Sequence, residues 1–379
     1  MNKRLYFDTA ATTPIHPEVL SVIIQTMTET YGNPSSLHTV GQKARQILTD
    51  SRYTAARHIN CIPEEIIFTS GACEANALAI NGYMNCHAQT TLITTKIEHK
   101  SITDLCEEET HHIKYVPVDR YGCVDLKELE RLCFEERSCG TRHLLVSIQA
   151  ANSEIGTIQD ISAIANIVHR YNGVFHTDAT QLFPYKKIDV QSLGIDMLSI
   201  SGQKINAPKG IGFLYIKNGI YIKPLIYGSQ MEHRRGGTEN IPYIAGLSKA
   251  IELLDYQNDT LLQMRDYLIS ELKNLNCDYR INGSLNHRLP NNINISFKDI
   301  NGEALSILLD YSGICISTAS ACSSSSRKPS YVLEAIQVPD SYIYGTIRVT
   351  LPKDVNKAEL DYFLNKLNIS IAQFRAIHP

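Results

Sequence analysis

Short apolar runs alternate with longer segments of helical periodicity between residues 41 and 201. Apolar runs typical of strands occupy residues 65–69, 91–95, 111–118, 142–148, 173–178 and 196–201, and patterns typical of helices occupy residues 41–58, 74–86, 125–134 and 160–171. Alternating strands and helices form parallel sheets, because each helix carries the chain back across the sheet. The pattern predicts an α/β fold with a mostly parallel sheet and helices on both faces.

The pattern changes after about residue 255. A charged amphipathic helix is predicted over residues 256–275, loops and antiparallel strands over 282–297, and further helices over 330–336 and 356–376. We therefore predict a large domain over residues 15–255 and a smaller α+β domain that combines residues 1–14 with 256–379. Within the smaller domain, the serine-rich run at 320–326 predicts a mobile loop over about 316–328.

Composition places the chain among ordinary globular proteins. Hydrophobic residues make up 43% and charged residues 20% of its 379 residues, and the formal net charge is −3. This balance gives no electrostatic reason to bind nucleic acid or an anionic membrane, and no apolar run is long enough to span a bilayer. The ten cysteines include no CxxC pair, which argues against a zinc site and favours a reducing cytoplasm.

Three polar features directly follow predicted strands, where ligands bind in α/β sheets. The Ser70-Gly71-Ala72 turn precedes a helix, whose free N–H groups suit a phosphate, although such turns also simply connect elements. Asp178 could equally cap a helix or form an ion pair, and Lys204 could be a surface lysine. Together, however, a phosphate cradle, an acid and a lysine are what pyridoxal phosphate requires.

Motifs along nearly the whole chain carry a family resemblance. They are YFDTAATTP (6–14), GNPSS (32–36), FTSGACEAN (68–76), EHKS (98–101), SEIGTIQDI (153–161), HTDATQ (176–181), SGQKINAPKG (201–210), RRGGTEN (234–240), SACSS (320–324) and IRVTL (347–351). In these motifs the chain resembles the NifS/IscS-type cysteine desulfurases. The resemblance implies the aspartate-aminotransferase-like fold of fold type I pyridoxal phosphate (PLP) enzymes, and a homodimer.

The resemblance also implies roles for individual residues around the cofactor and the substrate. Lys204 would bind PLP covalently, His99 would stack on its ring and move protons, and Cys322 would be the nucleophile. The other cofactor contacts would be Asp178 at the ring nitrogen, Gln181, Ser153 and Asn152 near the ring hydroxyl, and Ala72, Cys73, Ser201, Gln203 and the second subunit's Thr238 at the phosphate. Arg348 would bind the substrate carboxylate, with Asn33 nearby.

Cys322 also has a chemical argument of its own. A thiol that attacks the substrate sulfur and then leaves with it needs a movable segment, and the serine-rich loop is typical of one. A bystander cysteine is the alternative, since the chain has ten. Cys73, Ser153 and Gln203 depart from the family pattern, which has Thr, Asn and His at these positions. All three residues are among those predicted to contact the cofactor, so we expect weaker PLP binding with activity retained.

The predicted reaction converts L-cysteine to L-alanine and passes the sulfur, as a persulfide, to an acceptor protein. The acceptor would serve iron–sulfur cluster assembly or the thiolation of tRNA or a cofactor. Two alternatives remain open at this point. One is a selenocysteine lyase or another PLP enzyme for small amino acids on the same fold, and the other is a catalytically weakened partner that serves mainly as a binding or regulatory subunit.

Overall fold

The computed structural model describes residues 4–107, 112–318 and 329–377. The strands are β1 (Leu5–Tyr6), β2 (Ile66–Thr69), β3 (Thr90–Thr94), β4 (His112–Tyr115), β5 (His143–Ser147), β6 (Val174–Asp178), β7 (Met197–Ser201), β8 (Gly212–Ile216), β9 (Tyr279–Ile281), β10 (Asn292–Phe297), β11 (Ile314–Cys315), β12 (Ser317–Thr318) and β13 (Thr346–Thr350). The helices are α1 (Pro17–Glu29), α2 (Thr39–Ile59), α3 (Ala72–Cys86), α4 (Lys100–Cys106), α5 (Leu126–Ser138), α6 (Ile161–Arg170), α7 (Ile241–Glu252), α8 (Asp259–Glu271), α9 (Gly302–Tyr311), α10 (Tyr331–Ala335), α11 (Asp340–Ile343) and α12 (Lys357–Ile377).

A seven-stranded sheet in the order β2-β8-β7-β6-β5-β3-β4 forms the centre of the chain. Only β8 runs against the others, because it pairs antiparallel with both β2 and β7. The strands β2, β3 and β7 are buried along their whole length, as their nearly continuous apolar sequences predict for a covered sheet. The predicted α/β class with a mostly parallel sheet is therefore confirmed.

The direction of the strands decides where the site lies. The strands β2, β6 and β7 all run the same way, so their carboxyl ends meet at one edge of the sheet. Gly71, Asp178 and Lys204 come at or directly after these three ends. The fold thus gathers the three features that the sequence analysis singled out.

A smaller antiparallel sheet in the order β12-β13-β10-β9 lies in the C-terminal part of the chain. Its apolar core is built from β10, β13, α8, α9 and α12. Phe7 from the N-terminal segment joins this core, and β1 pairs with β11. The first residues therefore pack with the C-terminal elements, while the domain boundaries at 15–255 and 256–379 stay predictions.

Some elements lie where the sequence analysis predicted nothing. The helix α1 begins with Pro17 at its first turn behind a histidine cap, and it presents apolar side chains on both its buried and its exposed face. The predicted loop over 316–328 begins with the short strand β12, and its residues 319–328 lie outside the described part of the chain. Within the described ranges, we found no helix with the length and apolarity that a membrane span requires.

Candidate active site

A cavity of about 950 Å³ lies between the carboxyl edge of the large sheet and the elements of the small sheet. Most of the residues predicted for the site line it: Lys204, His99, Asp178, Gln181, Ala72, Cys73, Ser201, Gln203, Ser153 and Arg348. These residues come from positions 72 to 348 of the chain, so the fold assembles the predicted site from distant motifs.

Lys204 ends the short 3₁₀ turn Gly202–Lys204 that directly follows β7. Its Nζ donates hydrogen bonds to the backbone carbonyls of Ala10, at 2.7 Å, and of Ala11. Burial, assisted by the positive charge of Arg348, lowers the pKa of Lys204 to about 8. A substantial fraction of this amine is therefore neutral, and nucleophilic, near physiological pH.

Asp178 ends β6 and is held by two hydrogen bonds. Its carboxylate accepts one from Asn76 Nδ2 at 2.8 Å and one from the backbone N–H of Thr180 at 3.0 Å. Asn76 Nδ2 also donates to Ser101 Oγ at 2.9 Å, and Ser101 Oγ lies 2.9 Å from His99 Nδ1. A continuous hydrogen-bonded chain thus joins the acid to the histidine.

His99 caps helix α4, because its Nδ1 accepts a hydrogen bond from the backbone N–H of Ser101. With Nδ1 acting as an acceptor, the ring proton of the neutral imidazole resides on Nε2. His99 is exposed and lines the cavity. Its Nε2 is therefore the nitrogen left to exchange a proton with a bound molecule.

The first turn of α3 forms an anion cradle. Gly71 at its N-cap has φ of 144° and supplies no side chain to the free N–H groups. A Cβ at Gly71 would make only an ordinary contact, 3.5 Å from Ser201 Oγ, so it is the positive φ that favours glycine here. Ala72, Cys73 and Gln203 line the same part of the cavity. Backbone N–H groups, a helix N-terminus and a hydroxyl group suit a phosphate.

Arg348 lies on β13 at the other end of the cavity. Its Nη2 donates to Asp8 Oδ1 at 2.9 Å, and its Nη1 donates to the backbone carbonyl of Ser153 at 3.2 Å. Its buried Nε has no hydrogen-bond partner in the described part of the chain. A guanidinium with spare donor capacity in a cavity is suited to a carboxylate ligand.

Three predicted site residues that the structure describes do not line the cavity in this chain. Asn152 is buried and occupied elsewhere, because its Oδ1 accepts from Glu154 and Ile155 N–H groups and its Nδ2 donates to Ile97 O. Asn33 accepts a hydrogen bond from the backbone N–H of Ser35. Neither asparagine is among the lining residues, nor is Thr238, which is exposed. Cys322 lies outside the described residues.

The cavity also has lining residues that sequence reasoning did not single out. Thr180 Oγ1 and Glu154 Oε1 are both buried and without a partner among the described residues. Asp8 pairs with Arg348, as described above. Each of these three lies inside a quoted motif, but only its position in the fold distinguishes it from its neighbours.

The residues present fit PLP. The anion cradle suits its phosphate, the Asp178 carboxylate suits a protonated ring nitrogen, and the Lys204 amine suits its aldehyde. The unpartnered buried oxygen of Thr180 lies in the same cavity, as expected where a bound group completes the hydrogen bonding. Cys73 and Gln203, two of the departures from the family pattern, line this cavity, and their contact with the phosphate stays a prediction.

The comparisons with known proteins agree with this geometry. The model of the family aminotransferase class-V matches residues 5–363. A protein named cysteine desulfurase IscS from Dictyoglomus turgidum is 42% identical over 391 residues, which cover 100% of this chain and 97% of that protein. A solved NifS-like protein has a TM-score of 0.89 at 35% identity and covers 97% of this chain and 99% of its own. The structure of SspA in complex with cysteine has a TM-score of 0.80 at 32% identity, covering 92% and 99%.

The match of the family model over residues 5–363 shows that this chain belongs to the aminotransferase class-V family. The fold, with its ligand-binding groups at the carboxyl ends of the strands, agrees with that membership. Within it, the chain is similar over its whole length to proteins named cysteine desulfurase. The family resemblance predicted from the motifs is therefore confirmed.

Proposed function

We propose that this chain is a PLP-dependent cysteine desulfurase, which converts L-cysteine to L-alanine and holds the sulfur as a persulfide on Cys322. The observation that carries the proposal is the pairing of two groups in one cavity. A lysine whose pKa is lowered to about 8 faces the cofactor end. An arginine whose buried Nε has no partner among the described residues faces the other end. This arrangement suits an α-amino acid, since an amine must reach the aldehyde while its carboxylate is held.

When bound, PLP supplies an electrophilic aldehyde carbon and an electron-accepting ring. The carboxylate of Asp178 holds the proton on the ring nitrogen, and Asn76 and the Thr180 N–H keep that carboxylate in place. Lys204 would hold the cofactor through its Nζ, and the same amine would be the base that removes the α-proton of the substrate. His99 moves a proton through Nε2, and Arg348 fixes the substrate carboxylate.

The thiolate of Cys322 would attack the substrate sulfur, so that an S–S bond forms while the Cβ–S bond of the substrate breaks. The electron pair stays with Cβ, which takes up a proton to become the methyl group of alanine, and the transferred sulfur remains on Cys322 as a persulfide. Thr318 and Pro329 border the segment 319–328 that contains Cys322, and both line the cavity. Both flanks of this segment therefore reach the site, which supports Cys322 as the thiol that meets the substrate. The persulfide is then available to an acceptor protein with a thiol of its own.

The test is turnover of L-cysteine by the PLP-loaded protein under reductant, with alanine and sulfide both measured. Cys322→Ser should retain the visible absorbance of the bound cofactor and release neither product. Cys139→Ser is the matched control, because Cys139 is an exposed cysteine that does not line the cavity. Normal turnover by Cys322→Ser would overturn the proposal. Faster turnover of selenocysteine than of cysteine would point to the selenocysteine lyase.

We propose further that the active form is a homodimer. Leu20, Ile24 and Met27 form an apolar stripe on α1 and are 45%, 54% and 50% exposed, which is unusual for large apolar side chains on one helix face. Thr238 is exposed and outside its own chain's cavity, as a residue that serves the other subunit's phosphate end would be. A second copy accounts for both features.

The dimer is tested by sedimentation at micromolar concentration. Ile24→Glu should yield monomers that bind PLP poorly, whereas Glu29→Lys, at the end of the same helix, should remain dimeric. Mixing Lys204→Ala protein with Thr238→Ala protein sharpens the test, because each mixed dimer then contains one site with both residues intact and one with neither. A wild-type monomer that is fully active would contradict this part of the proposal.

A further inference from the structure

Glu154 is a buried acid in the cavity that the proposed mechanism does not use. Its side chain is 8% exposed, and it lines the cavity beside Arg348. One carboxylate oxygen, Oε2, accepts a hydrogen bond from Ser330 Oγ at 2.7 Å. The other, Oε1, has no partner among the described residues. A buried acid that is half satisfied costs stability, so its retention points to a ligand that completes it.

The surroundings of Glu154 hold it in place. Its backbone N–H donates to Asn152 Oδ1 at 2.8 Å, and its carbonyl accepts from Asn292 and Asn294, each at 3.2 Å. Ser330 is fixed in turn, because its Oγ accepts the first N–H groups of α10. Asn152, which the resemblance assigned to the cofactor, is thus part of the frame that positions its neighbour. This frame leaves Oε1 as the buried oxygen of Glu154 that has no partner among the described residues.

We propose that Glu154 recognises the thiol of the bound amino acid through a hydrogen bond between Oε1 and the substrate sulfur. The inference rests on the proposed function, because it takes L-cysteine as the substrate. A single proton lies between the two groups, either donated by the thiol to the carboxylate or by the carboxylic acid to the thiolate.

Of the three polar groups of cysteine, the thiol is the one that can form a hydrogen bond with Oε1 of Glu154. Its carboxylate is attracted by Arg348 and repelled by Glu154, and its amine is directed to the aldehyde near Lys204. Burial raises the pKa of Glu154 to about 7, against the effects of Ser330 and Arg348. An ordinary thiol has a pKa of about 8.5, so the two groups compete nearly equally for one proton.

The experiment compares two ligands that differ only in the thiol. PLP-loaded Cys322→Ser protein, which stops before sulfur transfer, is titrated with L-cysteine and with L-alanine, and the visible absorbance of the bound cofactor reports binding. Adding Glu154→Gln should weaken the binding of L-cysteine about tenfold, because a hydrogen bond to a charged group is replaced by the weaker bond of a neutral amide. The binding of L-alanine should change by less than about twofold, because L-alanine has no thiol to form a hydrogen bond with Oε1.

Two matched variants complete the design. Arg348→Lys should weaken the binding of both L-cysteine and L-alanine, since both have a carboxylate. Ser330→Ala should retain the preference for L-cysteine over L-alanine, because it removes only the hydrogen bond to Oε2 of Glu154. Equal weakening of both ligands by Glu154→Gln, or no weakening, would overturn the proposal. Should Glu154→Gln fail to fold, Glu154→Asp replaces it, and there an unchanged cysteine preference is the contradicting result.

Failure here can be separated from failure of the proposed function. A wild-type protein that forms no alanine from cysteine contradicts the desulfurase activity itself. A protein that forms alanine normally, yet shows the same cysteine preference in Glu154→Gln, contradicts only the role of Glu154.

Discussion

The two ends of the cavity are built differently. At the cofactor end, Gly71, Asp178 and Lys204 follow neighbouring parts of one buried sheet, at the carboxyl ends of its strands. At the substrate end, Arg348 comes from the small sheet and its partner Asp8 from the N-terminal segment, 340 residues away. The first end is fixed by the pairing of strands. The second depends on how the N-terminal segment and the small sheet pack against the large one.

The N-terminal segment connects the two ends. The carbonyls of Ala10 and Ala11 accept hydrogen bonds from Lys204, while Asp8 pairs with Arg348. Thr9 Oγ1 lies 3.2 Å from the carbonyl of Thr350 on β13, which anchors the segment to the small sheet. We therefore expect substitutions at the cofactor end to abolish activity, and those at the substrate end to change which ligands bind.

The largest expected effect is at Lys204. Lys204→Ala removes both the covalent attachment of PLP and the base, and kcat should fall on the order of 10³-fold or more. The visible absorbance of the attached cofactor should disappear as well. Lys209→Ala is the control, because Lys209 is an exposed lysine in the same motif and outside the cavity lining. Retained absorbance in Lys204→Ala is incompatible with this assignment.

The next effect is at Arg348. Arg348→Lys replaces a planar fork by a single ammonium, and KM for L-cysteine should rise about tenfold to a hundredfold, as expected for lost charge-assisted hydrogen bonds. Cysteamine lacks a carboxylate, so its binding to the loaded protein should hardly change. If cysteine and cysteamine weaken together, Arg348 does not act through the carboxylate.

A smaller effect is expected at Asp8, which touches Arg348 but not the carboxylate that Arg348 binds. Asp8→Asn keeps the size of the side chain and loses the ion pair, so KM for L-cysteine should rise about threefold to tenfold. In the double variant with Arg348→Lys the two effects should not add, because the two residues act as one unit. Full additivity would argue for independent roles.

The last effect concerns stability at the cofactor end and not catalysis. Glu98 is buried, and although Thr95 Oγ1 and the Gln149 N–H both donate to it, burial raises its pKa to about 8. The native state therefore retains a proton that the unfolded chain releases near pH 4.5, so the native state loses stability as pH rises between about 4.5 and 8.

Glu98→Gln has no such proton to lose. The melting temperature of Glu98→Gln minus that of the parent should increase from pH 5 to pH 9, measured by differential scanning fluorimetry. A difference that stays constant across this range would contradict the raised pKa. Glu107→Gln is the control, because Glu107 is an exposed acid at the end of α4.

The same contrast explains what sequence reasoning could predict. Gly71, Asp178 and Lys204 each follow an apolar run, so local pattern alone placed them at strand ends, and the fold confirms these places. Asp8 and Glu154 have no such local signal. Their roles arise from contacts with Arg348 and Ser330, which are made only when distant segments pack together. Asn152 is the opposite case. The motif around it predicted a cofactor contact, but its Oδ1 accepts hydrogen bonds from the backbone N–H groups of Glu154 and Ile155.

The most direct test of the account is to find the amine that holds the cofactor. The PLP-loaded protein is reduced with borohydride, digested, and its peptides are mapped by mass spectrometry. We predict a single pyridoxyl adduct, on Lys204, in the peptide that follows β7. An adduct on another lysine, with Lys204 unmodified, would contradict the site described for this chain.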